Sequence, residues 1–181
     1  MPRLSANYVT AFALLAVLLL AVAAQGVAQS QKDDKSSAQL EAEKTEVRNF
    51  VLTADKLDKY DAAVKAIRKT QKDNPDLKKQ MDDEDSRNPS STVAGSVATI
   101  EKYPPIANAI KGAGLTPRDF VVMTYTLINS AAAVQMKKAG TIKEYPDSVL
   151  PENISFVDKN YERIKKIFNS EPDASDKSPQ K

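Results

Sequence analysis

The sequence predicts an all-α protein, and three observations carry that reading. Apolar residues recur at spacings of three and four in two long segments, Leu57–Ile67 and Ile154–Phe168. No stretch alternates with period two over a strand's length. Threonine and proline stand where the apolar runs begin, and glycine where they end. The expected architecture is a single-domain helical bundle of four to six helices around a central apolar helix at about residues 116–139.

Residues 1–10 carry Arg3 and no acid, and Ala11–Ala24 are fourteen consecutive apolar residues followed by small residues and Gln. A positive start, a short apolar run and a small-residue exit describe a secretory signal peptide. Ala24 and Ala28 both suit cleavage, and residues 1–28 are taken as the signal. Fourteen residues fall short of the ~20 that a membrane-spanning helix needs; an uncleaved anchor is the alternative. No Cys follows the run, which excludes lipoprotein processing. Residues 29–46 hold one large apolar residue, Leu40, and are expected to be a disordered linker. The helical domain is expected over 47–169, with a disordered tail over 170–181.

Within that domain Leu57, Tyr60, Val64 and Ile67 form one helical stripe. Thr53 is placed to cap its first turn, Asp55 to suit the helix dipole, and Leu52 and Leu57 to form a hydrophobic staple. Pro75 can open a short helix, and 82–91 (DDEDSRNPSS) is a polar break. A helix over Val93–Lys102 ends at Tyr103-Pro104-Pro105. Pro105 opens another, through Ile106 and Ile110, which stops at Gly112 and Gly114. Thr116, Pro117 and Asp119 then supply a cap, a first-turn proline and the acid of a capping box, with Leu115 and Phe120 as a staple. That helix runs to Ala139, with Gly140 as its left-handed stop. A loop, Thr141–Pro151, leads to a last helix in which Ile154, Val157, Tyr161, Ile164 and Phe168 share a face and Lys165 and Lys166 suit the C-terminal dipole.

Composition narrows the chemistry. The chain of 181 residues has 26 Lys+Arg against 24 Asp+Glu, a formal charge of +2, and no Cys, His or Trp. Without His or Cys there is no imidazole base, no catalytic thiol and no ordinary zinc or iron–sulfur site. Interspersed charges near balance give no footprint for nucleic acid or an anionic membrane. The acidic run Asp82–Asp85 lacks the glycine and closing Glu of a calcium loop and reads as a solvated turn. Asp119, Glu152 and Glu162 are the acids nearest strongly apolar sequence, but Asp119 starts a helix and Glu162 falls on a polar face, so a carboxylate-based hydrolase is the least favoured reading. The sequon Asn153-Ile154-Ser155 is given no weight, and Lys137-Lys138 complements the end of its own helix. Neither a cofactor nor a metal is expected, nor an enzyme.

Phe120–Met136 is seventeen residues without a charge, which places it at the centre of a bundle. A membrane span is disfavoured by its length and by Thr124, Thr126, Asn129, Ser130 and Gln135. Tyr125 and Asn129, at i and i+4, are the candidate ligand-binding residues: two polar handles in an apolar pocket. The alternative is a satisfied hydrogen-bond network in a helical core.

The stretch from Leu115-Thr116-Pro117-Arg118-Asp119-Phe120 through Pro151-Glu152-Asn153-Ile154-Ser155-Phe156 resembles the C-terminal half of small exported bacterial proteins without assigned function. There an L-T-x-R-acid-aromatic helix start precedes a long apolar helix and a P-x-N-apolar-x-F helix. That resemblance covers about the last third of the expected mature chain and implies an exported helical domain with no catalytic residues. Leu52-Thr53 and Leu115-Thr116 are also similar to the L-T-x-x-Q helix starts of Spy/CpxP-type periplasmic chaperones, with Lys56 and Asp119 where that motif has Gln. The expected function is binding, of a small apolar ligand or a protein partner, in the periplasm or outside the cell. A chaperone-like role is the alternative.

Overall fold

The computed structural model describes residues 33–87 and 92–169, which form seven helices and no strand. These are α1 (Asp33–Asn49), α2 (Ala54–Asp73), α3 (Pro75–Arg87), α4 (Val93–Glu101), α5 (Pro104–Gly112), α6 (Pro117–Lys138) and α7 (Pro151–Asn169). The protein is all-α, as its periodicity predicts. The expected signal peptide and C-terminal tail lie outside the described residues. From Ser37 onward the described residues belong to one compact unit. None of the described helices is long and apolar enough to cross a membrane.

The start and stop signals act where the sequence places them. The Thr53 hydroxyl accepts the Lys56 N–H at 3.3 Å. Thr116 and Asp119 form a reciprocal capping box at the head of α6, with Pro117 in the first turn. Gly140 ends α6 at φ +72°, in the left-handed region that side chains with a Cβ rarely enter.

Helix α6 packs against α7 and α4, and α2 against α5. Leu57, Ile110, Met123, Leu127, Val134 and Val157 are fully enclosed where these helices meet. Tyr60 stacks on Phe120 at 4.9 Å between ring centroids, and its hydroxyl lies 2.9 Å from Thr124 Oγ1. Burial pushes the Tyr60 phenol up to about 12, against the smaller opposing effects of the Thr124 hydrogen bond and Arg68. Arg68 donates to the carbonyls of Ile167 and Phe168, satisfying the orphan acceptors at the end of α7. Its partial burial lowers the guanidinium's proton affinity.

Two expectations are corrected. Residues 33–46, read as linker, are helical as part of α1. Their composition is too polar for a core helix, yet Glu43 is buried and its carboxylate accepts the N–H groups of Val93 at 2.9 Å and Ala94 at 3.0 Å. One acid thereby ties α1 to N–H groups at the head of α4 that have no partner within that helix. Arg118 reinforces the attachment through a two-pronged pair with Glu46, and Thr126 through a bond to the Val47 carbonyl. The polar break at 82–91 also begins later than expected, because α3 continues to Arg87. The Lys78–Asp82 pair and a Ser86 hydroxyl bonded to the Asp82 carbonyl support that extension, and Glu84 pairs with Lys102 and Tyr103.

Candidate functional site

Tyr125 and Asn129 share a helix but not a cavity. The Tyr125 ring packs against the cluster of Val93, Val121 and Val122 near α4, where its hydroxyl lies 3.2 Å from Ser96 Oγ. Asn129 faces a small recess with Val47, Arg48, Thr126, Ser130, Ser148, Val149 and Asn153. Tyr125 is not among the residues lining it. Four residues of helix turn through about 400°, so the pair is offset by some 40°, and the long tyrosine ring carries its hydroxyl further away. The recess is too narrow to admit a water molecule. It contains the buried Ser130 hydroxyl, which has no hydrogen-bond partner.

Asn153 closes this region from the α7 side and is the residue whose role the sequence hides most completely. It is 1% exposed. Its side-chain oxygen accepts the Leu52 N–H at 2.9 Å, and its nitrogen donates to the Phe50 carbonyl at 2.7 Å. One amide thus satisfies both polar directions of the turn between α1 and α2.

Beside the recess lies a larger, open groove of about 550 Å³. Arg48 and Asn49 at the end of α1 form one wall, and Pro151, Ile154 and Ser155 at the head of α7 another. The loop between α6 and α7 completes it with Tyr145, Pro146, Asp147, Val149 and Leu150. That loop is shaped by a turn in which the Val149 N–H bonds the Pro146 carbonyl at 3.1 Å. The Tyr145 ring is 42% exposed, and the Lys137 ammonium sits 5.7 Å from its centroid. Leu150 stands immediately before α7, and its carbonyl accepts the N–H groups of Asn153 and Ile154. A leucine there offers no side-chain cap to the first turn of the helix.

No family model, curated protein or solved structure matches this chain.

The acids considered for acid–base chemistry are placed otherwise. Asp119 is held in the capping box at the head of α6, and Glu152 and Glu162 lie exposed on α7. Among the described residues no three His, Cys, Asp or Glu side chains converge as a metal site would require. The groove has little signature in the sequence. Its one local signal is the pair Pro146 and Pro151, which bracket two aliphatic residues, Val149 and Leu150, just after Tyr145; the opposing wall comes from residues about a hundred positions earlier.

Proposed function

We propose that this is an exported, non-enzymatic binding domain that takes a small amphipathic ligand in the groove between the end of α1, the α6–α7 loop and the head of α7. The observation that carries the reading is the groove itself: about 550 Å³ of open space on a bundle whose central helices are closed against one another. That volume falls within the ~300–1,000 Å³ typical of small-molecule sites. Val149, Leu150 and Ile154 supply apolar contact, while Arg48, Asp147 and Ser155 supply polar groups. Export is supported by the charged start and short apolar run of residues 1–24. The chaperone-like alternative is less well supported. A client-binding surface calls for contiguous exposed apolar side chains, whereas Leu40, Val51, Met136 and Tyr145, the exposed large ones among the described residues, come from separate elements.

The test uses Leu150→Asp. Aspartate is a favoured residue at the position before a helix, so this change supports the fold while placing a charge on the apolar wall. Native mass spectrometry of the protein from its own host should show a retained small molecule in the wild type and its loss in Leu150→Asp. Equal occupancy in both would overturn the groove as the site.

A further inference from the structure

The groove carries two opposite charges that do not neutralise each other. Arg48 projects from the end of α1, and its Nε donates to the neighbouring Asn49 side chain at 3.4 Å. Asp147 sits on the turn of the α6–α7 loop. Both are exposed, both line the groove, and no nitrogen of Arg48 comes within 4.0 Å of an oxygen of Asp147. Neither forms an ion pair with any other described residue, although all three other arginines whose side chains are described do bond to carboxylates or carbonyls. The apolar residues Val149, Leu150 and Ile154 line the same groove, together with the exposed Tyr145.

A cation and an anion that line one groove with apolar residues and do not pair with each other complement a ligand with the opposite charges: a carboxylate for Arg48, an ammonium for Asp147, and an apolar body for the rest of the lining. Free short peptides with aliphatic side chains have this form, since both terminal charges are present at neutral pH. A fatty acid has only the carboxylate and would leave Asp147 without a cationic partner. Resting on the groove as the binding site, we infer that its ligands are short apolar peptides with free termini. Arg48 reads the carboxylate and Asp147 the amine. The guanidinium fork suits the carboxylate in two-pronged geometry, and the side chain of Asp147 accepts from the ammonium.

The test titrates 15N-labelled protein, purified as the cell processes it, with trileucine, N-acetyl-trileucine and trileucine amide, following backbone amide shifts. Free trileucine should move the amides of residues 48–49 and 145–155. Blocking either terminus should weaken binding roughly threefold or more, the scale of a partly exposed charge pair. Arg48→Gln should lower affinity for the free peptide to that of the amide, and leave the affinity for the amide unchanged. Asp147→Asn should do the same for the acetylated peptide. Both residues are exposed and neither forms an ion pair with a described residue, so the fold should persist, and the unchanged affinity for one blocked peptide confirms it in each variant. Equal or tighter binding of the blocked peptides in the groove would overturn the peptide assignment while leaving the groove as a site for another amphiphile. Trileucine shifts confined to other residues, or no shifts, would also overturn it. The Leu150→Asp comparison then decides separately whether the groove reading survives.

Discussion

The side-chain oxygen of Asn153 accepts the backbone N–H of Leu52 at 2.9 Å, across 101 positions of sequence. The same amide donates to the Phe50 carbonyl, so the turn between α1 and α2 is hung on one buried residue of α7. Asn153→Ala should leave a buried donor and a carbonyl unpaired, at a cost of about 2–3 kcal/mol. Urea denaturation checks this, and a change under about 0.5 kcal/mol, the range of ordinary surface substitutions, would contradict it.

The same geometry gives the sequon a consequence. Asn153 is 1% exposed, and its nitrogen is committed to Phe50. A glycan attached before folding would have to displace that bond and enter a closed core. In a glycosylating secretory host, folded material should be unmodified at Asn153. Ser155→Ala, which removes the sequon at an exposed position, should raise the folded yield. A soluble, folded form glycosylated at Asn153 would refute this.

Glu43 makes α1 part of the domain. Glu43→Ala removes the acceptor for two N–H groups at the head of α4, with an expected loss of about 2–3 kcal/mol. Glu43→Gln keeps one acceptor oxygen and should lose less. Amide exchange in 37–49 should accelerate in the alanine variant before the rest of the bundle opens. Unchanged protection of these residues would show that α1 is held by other contacts.

Tyr60 sets an alkaline limit. Its phenol is raised from 10.0 to about 12 by burial, so the folded state keeps a proton that the unfolded state has released. Its contribution is therefore constant below about pH 10 and falls as pH rises toward 12. Tyr60→Phe should lose about 1 kcal/mol at neutral pH with the Thr124 hydrogen bond, and its melting temperature should fall less steeply above pH 10. Parallel melting curves against pH for the two proteins would contradict the assignment.

Leu127 is fully enclosed at the centre of α6. Leu127→Asp should cost several kcal/mol, a large part of the ~5–15 kcal/mol that holds a domain together, and leave little helical circular dichroism at pH 7. A folded, soluble variant would mean that this face of α6 is open.

The elements legible in the sequence are those set by local chemistry. Thr53, Thr116, Asp119 and Gly140 act within a few residues of themselves, and each does what its position predicts. The stripes of α2 and α7 are legible because packing follows helical period. Helix α1 was hidden because a polar helix docked through a carboxylate has the composition of a solvated linker; its partner N–H groups lie 50 positions away. The i, i+4 spacing of Tyr125 and Asn129 on an uncharged helix does not show that Ser96 engages one while the other turns toward α7. The groove was beyond reach for the same reason: its walls come from α1, the α6–α7 loop and α7, joined only by the fold.

On the proposed reading, ligand is held in this groove and not inside the bundle. The most direct measurement is the change in backbone amide shifts of the 15N-labelled protein when a small-molecule extract of its own host is added. The shifts should centre on residues 48–49 and 145–155. Changes centred on α6 around Tyr125 and Asn129, with the groove amides still, would contradict it.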